Sequence, residues 1–293
     1  MRILITGGTG FLGRHLLPML AGHELFVISR GAHVEGGFPD GINWIEADLG
    51  AGLDTSLLPA RMDGVIHLAQ SDRYRDFPGG AADMFRVNVE TPARLLQWAE
   101  KAGVSSFVAA STGTVYEPFD GPMREDDFVS PRSYYGASKL AAEALALAYG
   151  GVFNVTQLRV FFLYGPGQRG MMIANIIDSI RKGKTLTLPK DNDGLEFVPT
   201  FVEDTARVFV QALEEGWNGV YNVAAPHRIN FRQLLEQIGE ALGRRPVIER
   251  IEAERPTPIV PSLEKIAARV DIDSFLTFRQ GLEKTLAAEA ASR

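Results

Sequence analysis

Tyr135 and Lys139 stand four residues apart in Ser133-Tyr134-Tyr135-Gly136-Ala137-Ser138-Lys139. On a helix that spacing puts both side chains on one face. A free tyrosine titrates at about pH 10 and is a poor base at neutral pH. A neighbouring ammonium and a nicotinamide cation would stabilise the phenolate and lower that value. The phenol could then exchange a proton with an alcohol while a hydride moves to or from a dinucleotide. Taken alone the pair also reads as two ordinary surface residues. Its position between two apolar runs, downstream of a glycine loop, favours the chemical reading.

A hydroxyl source follows another apolar run, in Ser111-Thr112-Gly113-Thr114-Val115-Tyr116-Glu117. A hydroxyl there would hydrogen-bond a reacting oxygen and polarise a carbonyl. The plainer reading is a Ser/Thr turn. Open α/β sheets bind ligands at strand C-termini, which supports the functional one.

The glycine loop is Gly7-Gly8-Thr9-Gly10-Phe11-Leu12-Gly13, entered from the apolar run Ile3-Leu4-Ile5-Thr6. Missing Cβ atoms let a backbone turn tightly and approach a pyrophosphate closely. A helix that starts there offers N–H groups and a positive dipole end to the anion. Gly7, Thr9, Gly10, Phe11 and Leu12 are therefore the first candidates for holding a dinucleotide, although a tight strand-to-helix turn needs glycines too. After the second strand, an NAD site carries Asp or Glu for the ribose 2′-hydroxyl. This chain has Ser29-Arg30 instead, and an arginine pairs with a 2′-phosphate. That favours NADP over NAD, the alternative being an exposed loop arginine. Arg14 adds positive charge or is a solvated helix residue. Asp48 is placed to accept from an adenine amino group or to cap a helix.

The elements that must position these residues alternate along the first half. Runs at 2–6, 24–29, 43–46, 64–68, 106–110 and 154–161 read as strands, several of them apolar almost throughout, as expected where helices cover both sheet faces. Helical patterns lie between them, one starting near Phe11, one at 82–102 with Pro92 marking a kink or break, and one at 135–149. The pattern implies a doubly wound parallel α/β sheet. After Tyr164-Gly165-Pro166-Gly167 come a helix at 171–181, a strand at 185–188, a helix at 203–214, a strand at 219–223, and a helix capped by Asn230. Pro256, Pro258 and Pro261 break up the tail.

Composition narrows the possibilities. The chain has 293 residues, 45 % hydrophobic and 23 % charged, with a net charge of −6. No apolar stretch approaches the roughly 18 residues of a membrane span, and the apolar start is too short for a secretory signal. No basic run exceeds two residues, which argues against nucleic acid. There is no cysteine, so thiolate catalysis and disulfides are out, and a cytoplasmic location is expected. None of the five histidines has metal-like spacing with another, and no metal is expected.

Together these segments resemble the extended short-chain dehydrogenase/reductase family, which holds nucleotide-sugar epimerases, dehydratases and reductases. The resemblance covers Thr6 to Gly13, Asp48-Leu49, His67-Leu68-Ala69, Asn88-Val89, Ser111 to Tyr116, Tyr135 to Lys139, Leu158-Arg159 with Tyr164-Gly165-Pro166-Gly167, and Val202-Glu203-Asp204. It implies Thr112 as the catalytic hydroxyl, Tyr135 as the acid/base, and Lys139 as the residue that tunes the phenol and holds the nicotinamide ribose. It implies that Leu49, Leu68, Ala69 and Gln70 lie along the cofactor and that Asn88 supports the active site. It also implies a Rossmann domain of residues 1–165 with 197–225, a smaller mixed α/β substrate domain of 166–196 with 226–293, and a homodimer through helices 84–101 and 135–149.

The departures from the family pattern narrow the chemistry. Gly113 and Thr114 replace the Asp and Glu of the dehydratases, so elimination of water is not expected. Phe162 stands where many nucleotide-sugar enzymes carry Asn, and Phe197 where many carry Arg. Gln70 replaces a second alanine. Arg169 lies near the expected substrate side, facing an anionic substrate or solvent. The expected function is NAD(P)-dependent hydride transfer at the carbon of a sugar, a nucleotide-sugar by preference, by an epimerase or reductase. The alternatives are an NADP(H)-dependent reductase of a non-nucleotide carbonyl compound and a non-catalytic dinucleotide sensor.

Overall fold

The computed structural model describes residues 1–31, 37–119, 121 and 123–291. The first half forms β1 (Arg2–Thr6), α1 (Phe11–Leu16), β2 (Glu24–Ser29), β3 (Asn43–Glu46), β4 (Gly64–His67), α2 (Ala81–Phe85), α3 (Thr91–Ala102), β5 (Ser106–Thr112), α4 (Tyr134–Leu147) and β6 (Asn154–Val160). A seven-stranded sheet runs in the order Gly219–Val223, β6, β5, β4, β1, β2, β3. Every register from β3 to β6 is parallel. Strand order reverses at β1, which pairs with both β2 and β4, so the C-terminal ends of β1 and β4 form the switch point at which such sheets take ligands.

Burial explains why the strands were legible. Ile3, Leu4 and Ile5 are fully buried, as are Val65 and Ile66 of β4, because helices cover both sheet faces. Leu4, Val65, Leu95, Ala99, Phe107 and Val155 belong to one core. Pro92 sits in the first turn of α3, next to the expected interruption between two helices. The irregularity lies just before it, in one π-helical turn at Arg86–Glu90, a feature often found at functional sites.

The chain divides into two compact units. One comprises Met1–Pro118, Glu125–Val160 and Ala206–Asn222; the other comprises Phe119–Arg124, Phe161–Thr205 and the residues from Val223 onward. The second has its own core, with Tyr164, Ile176, Phe197, Phe201, Leu234 and Phe278. Its helices are Met172–Arg181, Phe231–Leu242, Glu264–Ala267 and Phe278–Ala291. Asn230 caps Phe231–Leu242 in a reciprocal capping box with Gln233.

Candidate active site

β1 feeds directly into the glycine loop. Gly7 has φ +71°, and a Cβ there would lie 2.6 Å from the Ala69 backbone nitrogen. A Cβ on Gly13 would lie 2.5 Å from Gly8 Cα. The Gly10 N–H donates to the Gly7 carbonyl at 3.0 Å, which closes the turn. Gly10 is the N-cap of α1; no side chain caps that end, and its first turn holds no acidic residue. A cradle that a Cβ would fill, leading into an uncapped helix start, fits a pyrophosphate. Phe11 packs edge-on against His15, and Leu12 is half-buried. Arg14 is exposed; its Nε donates to the Thr9 carbonyl at 3.0 Å and its guanidinium covers the Phe38 ring.

At the ribose position Ser29 is buried and its hydroxyl donates to the Gly31 carbonyl at 2.7 Å. Arg30 is exposed, and its guanidinium lies 3.5 Å from the Asp72 carboxylate. Asp48 is exposed and caps no helix; it accepts from the Gly50 N–H at 3.0 Å in a local turn. Leu49 is buried in the core. Leu68 and Ala69 border Gly7 through their backbone.

Thr112, Tyr135 and Lys139 all belong to the first unit. Thr112 ends β5, two residues beyond the run expected from sequence, and accepts from the Thr114 N–H at 3.2 Å. Gly113 is buried and Thr114 half-buried in that turn, and Thr112 Oγ1 donates to Thr114 Oγ1 at 3.1 Å. Ser133 caps α4 by accepting from the Gly136 N–H, so Tyr135 sits in the first turn and Lys139 one turn later. The Tyr135 hydroxyl donates to Gln70 Oε1 at 3.0 Å. Burial pushes Tyr135 up to about 12, with Thr112 opposing the rise and Tyr74 adding to it. The physical reason is that the Lys139 ammonium donates to the Ala110 carbonyl at 2.6 Å, and desolvation dominates at the phenol. Burial also lowers Lys139 to about 8, with Glu143 resisting the fall.

The profile of the NAD dependent epimerase/dehydratase family matches residues 3–224. The chain belongs to this family. GDP-6-deoxy-D-mannose reductase of Pseudomonas aeruginosa is 29 % identical over 257 residues, 82 % of this chain and 79 % of its own. The solved structure of MoeE5 with UDP-glucose and NAD is 28 % identical, with a TM-score of 0.83 over 100 % of this chain and 99 % of that one. The Thermus thermophilus UDP-glucose 4-epimerase complex with NAD is 26 % identical, with a TM-score of 0.82 over the whole of both chains. The family and the doubly wound fold read from sequence are thus borne out.

Several supports of this epimerase-family site were not read from sequence. Glu143, one turn beyond Lys139, is buried and holds Arg159 of β6 through two guanidinium nitrogens, Nη2 at 2.7 Å and Nε at 3.1 Å. It also accepts from Ser111. β5 is therefore tied to α4 at two successive residues, Ala110 to Lys139 and Ser111 to Glu143. The i, i+4 spacing of Lys139 and Glu143 was the available signal. His67 ends β4 with its Nδ1 2.7 Å from Thr6 Oγ1; burial, then Lys139, lowers its pKa to about 3. It is a neutral, buried, packed residue.

Phe162 and Arg169 belong to the second unit. Phe162 has φ +39° and sets its ring 4.8 Å from that of buried Phe197. Arg169 is exposed.

Proposed function

We propose that this chain is an NAD-dependent enzyme that carries out reversible hydride transfer at a carbon of a nucleotide-linked sugar, as an epimerase or reductase. The observation that carries the reading is the connection in one unit of Gly7 to Ala69 and of Gln70 to Tyr135. It supports a phosphate cradle and a proton-exchanging phenol serving the same ligand. Gly7, Thr9, Gly10, Phe11 and Leu12 would hold the pyrophosphate, Lys139 the nicotinamide ribose, and the first unit as a whole the dinucleotide. Bound there, the dinucleotide would supply a two-electron hydride acceptor or donor and, when oxidised, a positive charge that opposes the burial of the Tyr135 phenolate. Tyr135 takes the proton of the substrate alcohol as its carbon is oxidised, or returns it on reduction. Thr112 donates to the reacting oxygen and orients it.

The cofactor is proposed as NAD. The preference for NADP read from Arg30 finds no support among the solved neighbours, which hold NAD. The Asp72 carboxylate beside Arg30 would also repel a 2′-phosphate. A second reading, reduction of a carbonyl compound without a diphosphate, is favoured by one observation: Phe162 and Phe197 meet ring to ring and bring no charge. The exposed apolar side chains Phe85, Leu145 and Leu147 on α2 and α4 support a homodimer formed through these helices.

A panel of UDP-, GDP- and dTDP-sugars and free keto sugars, incubated with NAD or its reduced form and read by NMR of the products, tests the reading. Epimerised or oxidised nucleotide sugar is expected. Turnover of free keto compounds alone would transfer the conclusion to the second reading. Tight NAD binding with no product anywhere would leave a sensor.

A further inference from the structure

Gln70 follows Leu68 and Ala69, whose backbone borders Gly7. Its Oε1 accepts the Tyr135 hydroxyl hydrogen at 3.0 Å. Three more hydrogen bonds close a circuit between these two residues. The N–H of Ser71 donates to Asn88 Oδ1 at 2.9 Å, Asn88 Nδ2 donates to Ser138 Oγ at 3.0 Å, and Ser138 Oγ donates to the Tyr135 carbonyl at 2.8 Å. Ser71 and Asn88 are almost wholly buried. Ser71 also donates to Asp83 and accepts from the Arg73 N–H, fixing the loop just past Gln70. Tyr74, from the same loop, lays its ring 5.3 Å from that of Tyr135. Gln70 itself is exposed; the circuit fixes the backbone beside it, and the phenol is the partner of its side chain.

An amide oxygen only accepts, so the contact stabilises the form of Tyr135 that still carries its hydrogen. The other titratable groups around Tyr135 are Tyr74, under the Arg75 guanidinium, and Lys139, turned to the Ala110 carbonyl. Further out are His67, coupled to Lys139, Glu143, one turn on, and Asp83, bound to Ser71. We propose that Gln70 is a positioning residue that holds Tyr135 as a proton donor and so favours the direction in which a substrate carbonyl is reduced. This rests on the reading of Tyr135 as the acid/base. In that direction C=O becomes CH–OH. The carbon gains a hydride from the reduced nicotinamide dinucleotide, the oxygen gains the Tyr135 proton, and the phenolate recovers a proton from solvent.

The test is an NMR titration of the NAD-loaded protein with its tyrosines labelled at Cζ, whose resonance reports both protonation and the hydrogen bond to the hydroxyl. Tyr135→Phe assigns the signal, and the remaining tyrosine signals report the fold. Gln70→Met keeps the length of the side chain and removes the acceptor. It should move the neutral Tyr135 resonance and lower its titration by about half to one pH unit. Gln70→Glu, a charged acceptor, should raise it. A Met variant that superimposes on the wild type or titrates higher overturns the proposal, as does a Glu variant that does not shift. Failure of the acid/base reading shows separately, as wild-type turnover by Tyr135→Phe while the Gln70→Met shift persists.

Discussion

At the scale of single residues, the protein by itself disfavours charge on both members of the tyrosine–lysine pair, since burial raises Tyr135 to about 12 and lowers Lys139 to about 8. Charge on the phenol must therefore come with the ligand. Lys139→Met should cut turnover by about a hundredfold or more, with weaker dinucleotide binding, in steady-state kinetics and calorimetry. His67 gives a prediction about pH. Its ordinary value of 6.5 falls to about 3 in the fold, so below pH 6.5 the unfolded chain takes up a proton that the folded chain refuses until about pH 3. Stability should fall across that window, by up to about 1.4 kcal/mol per pH unit. His67→Asn should flatten the fall in urea melts at pH 7 and pH 4.5. Residues whose meaning lies in short spacing were legible: Gly7, Gly10 and Gly13, and Tyr135 with Lys139. Gln70 was visible as an oddity without a purpose, because its partner lies 65 positions away in the chain.

At the scale of elements, the site depends on how α4 seats on the sheet, and buried Glu143 ties it to Arg159 of β6 and to Ser111 of β5. Removing either member of the Glu143–Arg159 pair strands a buried charge. Glu143→Met or Arg159→Met alone should cost about 3–5 kcal/mol, and the double variant less than the sum, in a denaturation cycle. Gly13→Ala forces a Cβ onto the Gly7–Gly8 backbone; the loop must shift, and NAD should no longer raise the melting temperature. Sheet strands such as β1 and β4 were readable because both faces are apolar. The strand Val247–Ile251 was not, because every residue is exposed and no periodicity marks it. The last helix, Phe278–Ala291, hides its buried face, since two of its four buried residues are Gly281 and Thr285. Gly281 is small because a Cβ there would strike the Tyr164 hydroxyl.

At the scale of the whole molecule, sequence pattern carried the fold class and the strand order followed from topology, whereas cofactor choice turned on one exposed arginine whose partner, Asp72, no spacing rule reveals. NAD should bind at least about tenfold more tightly than NADP, a difference of about 1.4 kcal/mol, in competition read by native mass spectrometry. Phe85→Glu with Leu145→Glu should convert a dimer to a monomer in sedimentation, with the fold intact by circular dichroism. The central claim is that the Tyr135 phenol exchanges the proton that accompanies hydride transfer. Its most direct test is single-turnover kinetics of wild type and Tyr135→Phe, both loaded with NAD, on the best sugar from the substrate panel, read as reduced-nicotinamide absorbance. The account predicts equal NAD occupancy and a rate about a hundred to ten thousand times slower in the variant. An unchanged rate at equal occupancy would contradict it.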